Sequence, residues 1–163
     1  MKIVLLTIGK TSEKYLMEGI SQFQKRLKHY CSFEIIEIPN IKNAKNLSIF
    51  ELIKKEGELI LKLLQNLKLL QNADYLLLLD EKGKSSSSVD FSKKLQNWML
   101  SGKKCLVFII GWSYGFSDEV YKRANEKLSL LKITFSNQMV RLFFVEQLYR
   151  AYTILSNEPY HHE

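Results

Sequence analysis

The chain is 163 residues long, with 46% apolar and 12% aromatic residues, two prolines and no biased tract; this excludes a disordered chain and leaves material for one buried core without disulfides or metals. No run nears the roughly 20 apolar residues of a bilayer span, and Ile3 to Ile8 is too short for a signal peptide's apolar region, so a cytoplasmic protein with no membrane partner is expected. Lys and Arg outnumber Asp and Glu by 24 to 17, a net charge of +7 that reads either as plain solubility or as the footprint of a polyanionic partner.

Lys2 to Gly9 predicts a first strand. Leu16, Ile20, Phe23, Leu27 and Tyr30 then recur at spacings of 4, 3, 4 and 3, one face of an amphipathic helix. Cys31 and Cys105 lie far apart without a CxxC partner and read as inert thiols of a reducing compartment. Phe33 to Ile38 alternates apolar and acidic residues as a half-exposed strand, ended by Pro39, which cannot donate to a ladder. After a polar loop carrying Lys42 and Lys45, Ser48 is placed to cap a long helix with Ile49, Leu52, Ile53, Ile60, Leu63, Leu64 and Leu67 at helical period. Gly57 is a weak point inside it.

Tyr75 to Leu79 is an unbroken apolar run, the pattern of a strand buried on both faces. Asp80-Glu81-Lys82-Gly83-Lys84 reads as a loop, and Ser87 with Asp90 as the capping box of a helix bearing Phe91, Leu95, Trp98 and Met99. Cys105 to Ile110 is a fourth strand that runs into Gly111-Trp112-Ser113-Tyr114-Gly115, after which Ser117, Asp118 and Glu119 open another helix. A short element at Leu130 to Phe135 precedes a last helix from about Gln138 to Leu155, apolar nearly all round except at Arg141, Glu146, Gln147, Arg150 and Thr153. Such a helix needs cover on two sides, from another copy of the chain or from the centre of its own fold. The ending Asn157 to Glu163 reads as a docked tail, a frayed end or a tag remnant. Strand and helix signals alternate throughout, so the expected fold class is α/β, a single domain over residues 1–163 with a mostly parallel sheet flanked by helices.

Parallel sheets bind ligands beyond the carboxyl ends of their strands, which selects Leu79 to Lys84 and Gly111 to Gly115. Their spacing is neither GxGxxG nor GxxxxGK[ST], so dinucleotide and P-loop readings fail. His29, His161 and His162 offer no ligand set, so no metal is expected, and no nucleophile elbow supports a Ser/His/acid triad. The residues by themselves give an α/β domain with a cofactor crevice and a basic surface.

The chain closely resembles the RlmH family, large-subunit ribosomal RNA methyltransferases of the SPOUT class, over its full length. The resemblance is carried by Lys2-Ile3 to Gly9, Glu34 to Pro39, Lys55-Glu56-Gly57-Glu58, Leu79-Asp80-Glu81-Lys82-Gly83-Lys84, Ile109-Ile110-Gly111 and Lys132-Ile133-Thr134-Phe135. Its most specific carriers are Gln138-Met139-Val140-Arg141, Glu146 to Ala151 and Pro159-Tyr160-His161. It implies a homodimer with a C-terminal trefoil knot that transfers a methyl group from S-adenosylmethionine (SAM) to N3 of the pseudouridine at position 1915 of ribosomal RNA in the assembled ribosome. It implies a SAM pocket built from Leu79, Gly111, Leu130, Leu131, Lys132, Ile133, Thr134 and Phe135. Two positions depart from the family pattern: Trp112 stands where a second glycine is usual, and Asn137 where a histidine is usual, so no mechanism can use a base there.

Methyl transfer needs the acceptor nitrogen aligned and deprotonated. Arg150 is the candidate to stabilise the resulting charge, with Tyr160 and His161 positioning the base and relaying its proton, while Lys42, Lys45, Lys82 and Lys84 hold phosphates. The plain alternative for Arg150 is an i, i+4 pair with Glu146. At the level of function the rivals are an RNA-binding factor of the same fold without SAM binding, and a methyltransferase of that fold acting on another base.

Overall fold

The computed structural model describes residues 1–66, 75–112, 114–130 and 133–162. Strands β1 (Lys2–Ile8), β2 (Ser32–Ile38), β3 (Tyr75–Ser85), β4 (Cys105–Ile110) and β5 (Glu126–Ser129) form one sheet in the order β2-β1-β4-β3-β5. Their pairings are all parallel, so the expected α/β architecture holds. Helices α1 (Lys14–Leu27), α2 (Ile49–Asn66), α3 (Ser88–Leu100), α4 (Asp118–Arg123) and α5 (Asn137–Leu155) cover it. No helix among the described residues is long and apolar enough to cross a membrane.

Successive strand residues point to opposite faces, which splits the apolar runs into two cores. Ile3, Leu5, Leu77, Leu106 and Phe108 meet α1, α3 and α5 on one face. Val4, Leu6, Leu76, Leu78, Val107 and Ile109 meet Ile60 and Leu64 of α2 and Val120 of α4 on the other. The chain leaves β3 toward α3 on the first face and leaves β4 toward α4 on the second. Neighbouring strands whose connections diverge in this way leave a crevice between their carboxyl ends.

The serine caps form as predicted. Ser48 and Glu51 satisfy each other's backbone, the Ser48 N–H donating to Glu51 Oε2 at 2.8 Å and the Glu51 N–H to Ser48 Oγ at 3.2 Å. Ser87 accepts from the Asp90 N–H at 3.1 Å and Ser117 caps α4. Gly57 is a packing requirement as much as a weakness, because a Cβ there would lie 2.2 Å from Ser117 Oγ at the start of α4. Tyr30 lies beyond the end of α1 and stacks on Tyr152 at 5.4 Å, Ile49 is exposed, and Leu67 is outside the described residues.

Two expectations are corrected, and one left open is decided. Residues Asp80 to Lys84 are a continuation of β3, which breaks register after Leu79 and pairs with β5 again at Lys84 and Ser85. Hydropathy could not show this, because the paired backbone carries polar side chains. The last strand is Glu126–Ser129, half polar and at the sheet edge, whereas Leu130 and Ile133 to Phe135 are neither helix nor strand. The two-sided burial of α5 is supplied within the chain by α1 and α3, with Phe144 packed on Phe108 at 4.7 Å between ring centroids.

Candidate functional site

The crevice between the carboxyl ends of β3 and β4 is a single cavity to which three distant segments contribute. Leu79, Gly111, Leu130, Ile133, Thr134 and Phe135 all line it, so six of the eight predicted cofactor positions meet there. Leu131 and Lys132 lie outside the described residues, as does Ser113. Ile110, Phe116 and Val140 extend the apolar wall, and Asn137 brings the first turn of α5 to its edge.

The turn after β4 explains its two glycines. A Cβ at Gly111 would lie 2.7 Å from the Phe116 ring, which folds back beneath it. The Gly115 N–H donates to the Trp112 carbonyl at 3.1 Å, closing the turn, and Gly115 has φ +87°, a left-handed conformation that a side chain would strain. The left-handed residue is therefore Gly115 and not Trp112, whose indole is 40% exposed at the cavity rim.

The lips of the crevice are tied together by residues of the selected segment after Leu79, by Thr134, and by Tyr121, which the sequence did not single out. Asp80 is buried, and its Oδ2 accepts from the Tyr121 hydroxyl at 2.5 Å while Oδ1 accepts from the Lys82 N–H at 2.9 Å. Burial, reinforced by the hydrogen bond to Asp80, pushes the Tyr121 phenol up to about 12, so it stays a neutral donor. The Phe116 N–H reaches the same hydroxyl at 3.5 Å, which joins the end of β3 to the loop after β4. The third segment is attached by Thr134, whose hydroxyl donates to Glu81 Oε2 at 3.2 Å. Nothing in the pattern around Tyr121 marked it.

The first turns of α5 grip the loop after β1. Arg141 is 2% exposed, with Nη2 donating to the Ile8 carbonyl at 2.7 Å and Nη1 to Thr11 Oγ1 at 3.0 Å. Gln138 accepts from the Ser12 N–H at 2.9 Å and donates to the Lys10 carbonyl at 3.3 Å. In the sequence Arg141 stands out only as a polar exception on an apolar helix and as a carrier of the family resemblance; in the fold it and Gln138 form a clamp.

The predicted catalytic residues come together at the other end of α5. Arg150 Nε and Nη2 donate to Glu146 Oε1 at 3.0 and 2.6 Å, and Nη1 lies 3.2 Å from His161 Nδ1. A guanidinium only donates, so Nδ1 must accept and the imidazole proton sits on Nε2. The Tyr160 ring lies 4.8 Å from the Arg150 Cζ, and its hydroxyl donates to Glu146 Oε1 at 3.1 Å. The hydrogen bond to Glu146 holds the Arg150 guanidinium above its usual value, and burial with the Glu146 carboxylate raises the Tyr160 phenol. The i, i+4 pair thus exists and extends to the tail. Asn157, left-handed at φ 54°, turns the chain back, and Glu158 anchors it by accepting from the Tyr30 hydroxyl at 2.6 Å, so the tail is docked and not frayed.

Within one chain this cluster does not reach the crevice. Asn137 and Arg150 are separated along α5 by about 20 Å at the helical rise. Lys42 and Lys45 are exposed beyond the carboxyl end of β2, and Lys82 and Lys84 are exposed on the last part of β3, with Lys82 lining the cavity. Among the described residues no three of His, Cys, Asp and Glu gather as a metal site.

The chain is 56% identical to a ribosomal RNA large subunit methyltransferase H of Parabacteroides distasonis, covering all of both chains. It is 55% identical to the protein of that name from Flavobacterium johnsoniae and 48% to that from Bacteroides thetaiotaomicron, again over the whole of each. Residues 1–161 match the family described as predicted SPOUT methyltransferase. The strand-end crevice, the tail docked on α5 and these full-length matches agree: the chain belongs to the SPOUT methyltransferase family.

Proposed function

We propose that the chain, a single domain from Met1 to Glu163, is a cytoplasmic SAM-dependent methyltransferase that acts as a homodimer on N3 of pseudouridine 1915 in the ribosomal RNA of assembled ribosomes. The observation that carries the reading is the meeting of Leu79, Gly111, Leu130, Ile133, Thr134 and Phe135, from three distant segments, around one crevice at the strand ends. The donor set fits SAM: Leu79, Ile110, Leu130 and Val140 offer an apolar wall for an adenine ring, and the carboxylates of Asp80 and Glu81 suit ribose hydroxyls and a cationic sulfonium. When bound, SAM supplies an electrophilic methyl group.

The chain's own residues have two tasks, orientation and charge. An imide nitrogen attacks only after losing its proton, and the negative charge then spreads to the neighbouring carbonyl oxygens. The Arg150 guanidinium, held charged by Glu146, is suited to that charge, and the Nε2–H of His161 is a donor aimed from the same cluster. The Tyr160 phenol, raised by its surroundings, serves as a neutral positioning group. Asn137 at the crevice edge can hydrogen-bond the base without accepting its proton. Because the cluster and the crevice are about 20 Å apart in one chain, the reading requires a second copy to bring its Arg150, Tyr160 and His161 to the first copy's crevice. Lys42, Lys45, Lys82 and Lys84 hold the phosphates of a base turned out of its stack.

The test is incubation with labelled SAM and ribosomes lacking the modification, followed by mapping of the methylated nucleotide. Arg150→Ala and His161→Ala are expected to bind SAM normally and to lose roughly 100-fold in turnover, the order seen for one charge-stabilising donor. Near-normal turnover in both would remove the cluster from the mechanism, and absence of SAM binding by the native protein would remove the enzyme.

A further inference from the structure

The crevice rim carries four large apolar side chains in the open: Trp112 at 40%, Tyr114 at 53%, Ile133 at 72% and Phe135 at 36% exposure. Isolated exposed apolar residues are ordinary, but four on the rim of one cavity mark a surface that is covered in use. Trp112 and Tyr114 differ from the other two in sitting on a braced turn, closed by the Gly115 N–H on the Trp112 carbonyl and backed by Phe116, which packs edge-on against Tyr121 at 5.8 Å. Among the described residues no aromatic ring is stacked on either side chain, whereas Trp98, the other tryptophan, is buried between Phe91 and Phe108.

The facing lip decides which occupant suits this rim. Lys82 and Lys84 are exposed on the polar extension of β3; of the acids beside them, Asp80 is buried against Tyr121, and the exposed Glu81 accepts from the Thr134 hydroxyl. A flat π-surface opposite a positive strand matches an unpaired nucleobase with its phosphates, since stacking needs only a base face and lysines need only the backbone. We propose that Trp112 and Tyr114 form a stacking platform for an unpaired RNA base at the mouth of the crevice. The platform holds the target base or its immediate neighbour and makes Trp112 a positioning residue for the RNA, separate from the groups that act on the proton. This rests on the methyltransferase reading only for the identity of the RNA.

The indole is its own reporter. Titration of the native protein with a short single-stranded oligouridine should quench tryptophan emission, and the quenching should vanish in Trp112→Phe, because Trp98 is out of reach. An abasic ribose-phosphate oligomer of the same length should not quench. Trp112→Ala should weaken oligouridine binding and raise the KM for ribosomes about 10-fold, the order for one lost stack, a larger effect than on kcat; Trp112→Phe should recover most of that binding. Equal quenching by the abasic oligomer, or unchanged RNA affinity in Trp112→Ala, would overturn the platform. The two readings fail separately: quenching without methyl transfer by the native protein sinks the enzyme alone, and normal transfer without quenching sinks the platform alone.

Discussion

Glu56, on the buried side of α2, is 4% exposed, and its Oε1 has no hydrogen-bond partner among the described residues. Burial pushes its carboxyl from an ordinary 4.5 up to about 7. The folded chain therefore holds this proton more tightly than the unfolded one. Its contribution to stability is complete below about pH 4.5 and is lost as pH rises through about 7, a difference on the order of 3 kcal/mol. Glu56→Gln is expected to raise the melting temperature at pH 8 and to leave it nearly unchanged near pH 4.5. Thermal unfolding across that range checks it; a variant that keeps the native slope would show that another group is responsible. The sequence marked Glu56 only as part of Lys55-Glu56-Gly57-Glu58, because burial of one acid in an otherwise regular amphipathic helix leaves no trace in the period.

At the scale of elements, local chemistry decided more than packing did. The capping serines at 48, 87 and 117 start their helices as read, since a cap needs only a hydroxyl and the next turn. Gly57 shows the limit of that locality. Alanine favours a helix by about 1 kcal/mol over glycine, yet its Cβ would stand 2.2 Å from Ser117 Oγ and displace the cap of α4. Gly57→Ala is thus expected to destabilise the protein by about 2 kcal/mol, read as a lower denaturant midpoint, and a stabilised variant would mean that α4 shifts freely. Helix α5 divides along its length, its first turns clamping the loop after β1 through Gln138 and Arg141 and its last turns holding the tail through Glu146 and Arg150.

For the whole molecule, the separation of the tail cluster from the crevice is the feature with the largest consequence. If sites are shared between copies, a chain carrying Gly111→Val, which forces a Cβ against Phe116, should be complemented by a chain carrying Arg150→Ala. Random mixing makes half the dimers hybrid with one intact site each, so about a quarter of native turnover should return from two inactive proteins. Mixtures that stay as inactive as their components would place both halves of the site in one chain.

The amino-acid order alone determined the parallel α/β class, the strands β1 to β4, the starts of the capped helices and the crevice at the ends of β3 and β4, because period and strand-end geometry are local or topological rules. Only the tertiary structure decided that residues Asp80 to Lys84 continue a strand, that Glu126–Ser129 pairs with it, that α5 is covered by α1 and α3, and that Tyr121, Gln138 and Arg141 brace the site. Those features rest on backbone pairing and on polar contacts between segments as much as 133 residues apart, which no periodicity along the chain encodes.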